Sequence, residues 1–411
     1  MKSLLLFRKD LRAGDHKGLK HLIDNQRESI LLYVEDPQDR LLKSRGYAIR
    51  RGLLSRLNRR LGQKIHFERG DTYTILDQYV KDFGVGEIVL QRQYEPWEVA
   101  LQEKLKSLNV RVVLVEDYLL LPPEGGMKSD GTLYLVFKAF YENWLKKITP
   151  EGPCTYDSSQ LKTLWVKDAP VEEAPNPLDY PAIDDFFMNG VASYATRGDD
   201  FTLEGTSRVS ALLNNGGISP RKLWYLGRIS DAFIRQAAFR EYYIHWMYYY
   251  PEVLQKNFKR VDYPWSSSRE DFLKWQRAET GYDLVDAAMT QLNEEGWIHG
   301  RLRMVAASFL IKDLHIDWRW GEAYFYEKLN DADTALNVGN WQWMAGTGAL
   351  HQPYFRVMSP LAQKEKYDPD GTYCSRFLKA VHEPMVDHKI SRQLFIENFK
   401  IAQEQSKKNE A

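Results

Sequence analysis

Five short apolar runs, at residues 3–7, 30–34, 64–68, 87–91 and 110–115, punctuate the first 120 residues, and the segments between them carry helical spacing. In residues 46–61, Leu53, Leu54, Leu57 and Leu61 share one helical face. Asp71, directly after Gly70, is placed to cap the helix that follows. Strands and helices alternating in this way predict a parallel sheet with helices on both faces. A ligand of such a sheet sits at the C-terminal ends of the strands. No GxGxxG and no P-loop occurs, so this is not an ordinary Rossmann or P-loop domain. The pattern predicts a doubly wound parallel-sheet domain over residues 1–120.

Prolines recur from Pro122 to Pro181, which marks residues 121–185 as a connector, with one helical stretch predicted at 132–147. From residue 186 to 411 the pattern is helical, with 3.6-type spacing at 272–277, 284–292, 301–314 and 321–329. The fold class expected is therefore α/β plus all-α: a sheet domain, a connector and a larger helical domain.

Composition narrows the chemistry. The 56 basic and 56 acidic residues cancel, so binding to nucleic acid would need a local basic face. Cys154 and Cys374 are too few for an iron–sulfur cluster, which needs about four thiolates. They also form no disulfide framework, which fits a reducing compartment. The histidines show no metal-ligand spacing, so no metal site is expected. The apolar start MKSLLLF ends at Arg8 and Lys9, far short of a secretory segment, and no apolar stretch reaches membrane length. A cytoplasmic, membrane-free monomer is expected. The 12 Trp and 24 Tyr fit either a stacking surface for a flat ligand or bulky helix packing.

Two segments of the helical half carry polar groups where a plain bundle would be apolar. Residues 205–210 (GTSRVS) combine hydroxyls with a cation, which fits a phosphate at a helix N-terminus or a simple N-cap. Residues 331–343 (DADTALNVGNWQW) place two acids, two Asn and two Trp in an otherwise apolar region. Buried acids need a partner or a ligand, and Arg303 is a plausible partner.

Together these segments resemble the photolyase/cryptochrome superfamily. EGTSRVSALLNNGGISPRKLW (204–224) is similar to its flavin-phosphate motif, and FREYY (239–243) to its W-R-E-F-Y segment. Residues 280–322 and 331–360 match its core, and FRKDLRAGDHKGL (7–19) resembles its N-terminal signature. The resemblance implies FAD folded inside the helical domain. It assigns Tyr194, Thr206, Ser207, Arg208, Val209 and Ser210 to the phosphates. Asp331, Ala332 and Asp333 fall near the ribityl and isoalloxazine groups, with Arg303 paired to the acid. Asn337 falls opposite flavin N5, where photolyases carry Asn and many cryptochromes Asp or Cys. Trp341, Trp318 and Trp265 match the electron-transfer chain from flavin to surface. An antenna chromophore, folate or deazaflavin, is left open.

The lesion contacts depart from the family. Gln236 stands for a Glu, Phe239 for a Trp and Gly300 for an Asn, while Arg240, Arg301, Met304, Trp343 and Gln363 remain. The two histidines of (6-4) photolyases would fall at Gly300 and Met304. EPMVDHKISR follows DPDGTYCSRF almost at once, which implies a shortened helical segment. The resemblance implies a light-driven lyase splitting cyclobutane pyrimidine dimers in DNA, with single-stranded or distorted substrates expected. The alternative is a cryptochrome-type photoreceptor.

Overall fold

The computed structural model describes residues 1–148, 151–350 and 355–408. Residues 351–354, inside the 331–360 motif, and Pro150, inside the connector, lie outside the described residues. The five apolar runs form parallel strands β1 (Lys2–Phe7), β2 (Glu28–Glu35), β3 (Ile65–Arg69), β4 (Val85–Gln91) and β5 (Arg111–Val115), in the order β3-β2-β1-β4-β5. The helix Thr72–Phe83 starts as expected: the Asp71 carboxylate accepts from the Thr74 N–H at 2.8 Å. A sixth strand, β6 (Lys162–Thr163), pairs with β2, so the proline-rich segment returns to the sheet it left.

The strand period of two divides the side chains between two cores. Leu4, Leu6, Ile30, Leu32, Ile88 and Leu90 pack under Leu76, Tyr79 and Leu101 on one face. Leu5, Phe7, Leu31, Tyr33 and Val89 belong to a second core that runs on into the helical half. The two halves are therefore joined by apolar packing as well as by ions.

Buried ion pairs fix the junction. Arg221 donates to Asp15 at 2.8 Å and to Asp117 at 2.6 Å, and all three side chains are nearly inaccessible. Gly216, at φ +72°, lies against the backbone of Lys9 and Asp10, where any Cβ would overlap them. This close approach seats the Ser210–Asn214 helix against the sheet domain.

Two helices begin later than their patterns predict. The stretch at 132–147 becomes helical only from Phe137. Asp130 accepts from the Thr132 N–H at 2.9 Å and from its hydroxyl at 2.6 Å, which makes a turn first. The 205–210 segment is a loop, and its helix starts at Ser210, because Arg208 takes a positive φ of 50°. The remaining helices include Asp231–Tyr249, Asp283–Glu295, Gly300–Lys312, Trp318–Lys328, Thr334–Ala345 and His388–Lys408.

Candidate functional site

A cavity of about 500 Å³ opens in the helical half, within the ~300–1,000 Å³ usual for ligand sites. Three long helices and one loop form most of its wall. On the Asp231–Tyr249 helix, Phe233, Gln236, Ala237 and Arg240 follow i, i+3, i+4, i+7 spacing and so face it together. The Gly300–Lys312 helix contributes Arg301, Arg303, Met304 and Ala307, and the Thr334–Ala345 helix contributes Leu336, Asn337, Asn340 and Trp341. The 206–210 loop and Tyr194 complete the wall.

Charge is paired at the base of the site. Arg303 Nη2 straddles both oxygens of Asp331, at 3.0 and 2.9 Å, and Ser210 Oγ donates to the same carboxylate at 2.6 Å. One acid thus draws the 210 loop and the Gly300–Lys312 helix together. Asp333 is the N-cap of the Thr334–Ala345 helix and accepts from the Leu336 N–H at 3.0 Å. The Asn214 amide donates to the Ala332 carbonyl, which holds the turn between the two acids. Ala332 is itself buried and does not reach the cavity.

Two residues that line the cavity each carry a polar atom left without a partner. Among the described residues, Asn214 Oδ1 and Arg240 Nη2 are enclosed by protein and have no hydrogen-bond partner, while other atoms of the two residues line the cavity. Native proteins rarely leave such groups unmet. In the loop, Arg208 (φ +50°) precedes Val209 in right-handed conformation. The Val209 N–H donates to Ser207 Oγ at 3.3 Å, which closes the turn that leads into the helix at Ser210. The Arg208 guanidinium also stacks on Trp297 at 4.1 Å.

Most of the residues assigned from sequence converge here: Tyr194, Thr206, Ser207, Arg208, Val209, Ser210, Gln236, Arg240, Gly300, Arg301, Arg303, Met304, Asp331, Asp333, Asn337, Trp341 and Trp343. Some stand apart. Phe239 lies off the i, i+3, i+4, i+7 face, and its ring stacks on Phe137 at 3.4 Å, which covers one of its faces. Gln363 reaches the site only through Arg301, whose Nη1 donates to it at 3.2 Å. Arg301 is also held by the Asp199 carboxylate and by its carbonyl at 3.0 Å. Trp318 is fully buried and donates to Asn257 Oδ1 at 2.9 Å, and Trp265 is half-buried against Tyr263 at 4.5 Å. Arg240 is buried at 6% exposure, an inward position beside Tyr118, whose carbonyl it donates to at 3.2 Å.

Trp341 is wedged between Phe325, at 5.0 Å, and Gly321, where a side chain would overlap the indole. His299 caps the Gly300–Lys312 helix through Nδ1, and Nε2 meets the Gly198 carbonyl at 3.0 Å. Burial holds its pKa below the ordinary histidine value, so the neutral ring serves as both acceptor and donor. Sequence reasoning missed Asn214, Asp199, Trp297 and Glu322. Asn214 and Glu322 sat inside quoted motifs, as polar residues on buried faces; Asp199 lay outside every motif.

Comparison with known proteins places this geometry. The model of the FAD binding domain of DNA photolyase matches residues 233–408, and that of DNA photolyase matches residues 3–157. The deoxyribodipyrimidine photo-lyase of Salmonella typhimurium is 33% identical over 93% of this chain and 91% of its own. That of Escherichia coli is 32% identical over the same shares. The crystal structure of a class III photolyase from Agrobacterium tumefaciens superposes with a TM-score of 0.87 at 27% identity, covering 98% of each chain.

Proposed function

The chain belongs to the photolyase/cryptochrome family, and on that premise we propose that it is a light-driven lyase that splits cyclobutane pyrimidine dimers in DNA. FAD is its cofactor. The observation that carries the reading is the single cavity in which cofactor-side groups (Arg303, Asp331, Asn337) and lesion-side groups (Gln236, Arg301, Met304, Trp343) face one space. Electron transfer from one ligand to the other needs that proximity.

The residues present fit FAD. The 206–210 loop and Tyr194 suit its phosphates, and the paired Arg303 and Asp331, with Asp333 and Asn337, line the same space. Arg240, assigned to the lesion from the sequence, lines the cavity while its guanidinium is held at the Tyr118 carbonyl. When bound, FAD supplies the light-driven electron that opens the cyclobutane ring. Asn337 orients the flavin edge, and Trp341, Trp318 and Trp265 serve as oxidisable rings between the cavity and the half-exposed surface.

On the lesion side the contacts are sparse. Gln236 is exposed at the mouth, Gly300 faces open space, and Phe239 is engaged with Phe137. Base–aromatic stacking returns about 1–3 kcal/mol per base, and extruding a base from a duplex costs a few kcal/mol, least from a single strand. We therefore read single-stranded or distorted DNA as the preferred substrate. Both cysteines are free thiols, which supports a reducing, cytoplasmic setting.

The test is photoreduction of bound FAD in wild type and Trp341→Phe. Loss of photoreduction in the variant supports the assignment of the cavity, and unchanged photoreduction overturns it.

A further inference from the structure

The Asn337 amide has a fixed orientation. Its Nδ2 donates to the Glu322 backbone carbonyl at 2.8 Å and to Glu322 Oε1 at 2.9 Å. Both partners are oxygens, so a flipped amide would set oxygen against oxygen. Both amide hydrogens are committed to Glu322, and Oδ1 is the atom left for the cavity that Asn337 lines.

Glu322 is held in turn from the other half of the molecule. Arg40 sits in the short turn Arg40–Lys43, shortly after β2, where the Asp39 carboxylate accepts from the Leu41 N–H at 2.9 Å. Its Nη1 donates to Glu322 Oε1 at 2.7 Å and its Nη2 to Oε2 at 2.8 Å, a two-pronged pair. The guanidinium lies over the Tyr326 ring at 3.8 Å. The Glu322 side chain is 8% exposed and that of Arg40 36%, so Arg40 is the covering group between the acid and solvent. A guanidinium that donates to both oxygens leaves the carboxylate as an acceptor and fixes its plane. Without it, a nearly buried carboxylate would turn toward water and release one of the two Asn337 contacts, leaving the backbone carbonyl as the sole acceptor that fixes the amide.

We propose that Arg40, reaching from the sheet domain, is a positioning residue: through the Glu322 carboxylate it holds the second of the two hydrogen bonds by which Asn337 presents oxygen rather than nitrogen to the flavin ring of FAD. The inference rests on the reading above that Asn337 faces flavin N5. An oxygen there accepts from N5–H of reduced FAD and opposes the bare N5 of oxidised FAD. Arg40 therefore raises the potential of the bound cofactor.

The test measures the two-electron midpoint potential of bound FAD in wild type, Arg40→Met, Arg40→Lys, Asn337→Leu and the Arg40→Met/Asn337→Leu double variant. In Arg40→Met the preference for reduced over oxidised FAD falls about tenfold, which is about 30 mV more negative for a two-electron couple. Arg40→Lys, which keeps the charge and loses the fork, falls between, and it carries the test should Arg40→Met not retain FAD. Asn337→Leu shifts the potential in the same direction, and adding Arg40→Met to it changes nothing further. A shift in Asn337→Leu with none in either Arg40 variant, or full additivity in the double variant, overturns the role of Arg40 alone. No shift in any variant overturns the placement of Asn337 at the flavin ring.

Discussion

Asp331→Asn tests how the cofactor cavity is held open. Asp331 accepts from Arg303 at both oxygens and from Ser210, and its side chain is 6% exposed against 28% for Arg303. The amide keeps one acceptor oxygen but turns an NH₂ toward Arg303 Nη2, which contacts both positions, a donor facing a donor, while the Ser210 hydroxyl can rotate to accept. Removing one partner of a buried ion pair costs about 3–5 kcal/mol. The partial exposure of Arg303 lets water take up part of its charge, which lowers the expected cost to about 2–3 kcal/mol. Asp331 joins the 210 loop to the Gly300–Lys312 helix, so this cost falls on the shape of the cavity. At 1.4 kcal/mol per tenfold, FAD affinity drops about 30- to 150-fold. The assay is calorimetric titration of FAD into apo-protein for Asp331→Asn, Arg303→Met and the double variant. A coupling energy above about 1 kcal/mol between the two sites is expected. Unchanged FAD affinity in Asp331→Asn, or strict additivity, would refute the reasoning.

Gly321→Ala puts a methyl into the Trp341 indole, so stability falls by about 1–3 kcal/mol and FAD photoreduction slows; both are read on one preparation. Gly300 faces open space, so Gly300→Asn fits without displacement and strengthens binding of dimer-containing DNA about two- to tenfold, the worth of one hydrogen bond of ~0.5–1.5 kcal/mol. Phe239→Trp, by contrast, meets Phe137 and gives no gain; a matched binding titration separates the two. Lys312 is wholly buried, and burial pushes its ammonium down to about 7. The unfolded lysine binds its proton up to the ordinary, higher value, so wild-type stability rises with pH from about 7 to 10. Lys312→Met removes that rise, on the order of 3–5 kcal/mol, in urea midpoints taken across the window.

The sheet was legible because strand and helix periods differ so sharply in the first 120 residues, and each of the five runs became a strand. Start points were less legible where a side chain competes with the helix, as Asp130 does before Phe137, or where one residue turns left-handed, as Arg208 does. That residues 331–343 would line a polar cavity was readable because acids, amides and Trp crowd them, and burial of such groups demands partners. Phe239 illustrates the limit: its ring direction depends on the face of a 19-residue helix and on Phe137 from a distant helix. Arg40 carries no sequence signal at all, since its partner Glu322 is 282 residues away and only the fold brings them together.

Repair of a dimer by the holoprotein tests this cavity most directly. Purified holoprotein with reduced FAD is given oligonucleotides containing one cyclobutane thymine dimer, single-stranded or in duplex, in darkness and under blue light, and intact dimer is counted. Dimer is expected to be lost in light only, at least as fast in the single strand as in the duplex, with no loss of a (6-4) lesion. Normal photoreduction of FAD with no loss of dimer from either substrate would contradict the repair reading and leave the photoreceptor reading in its place.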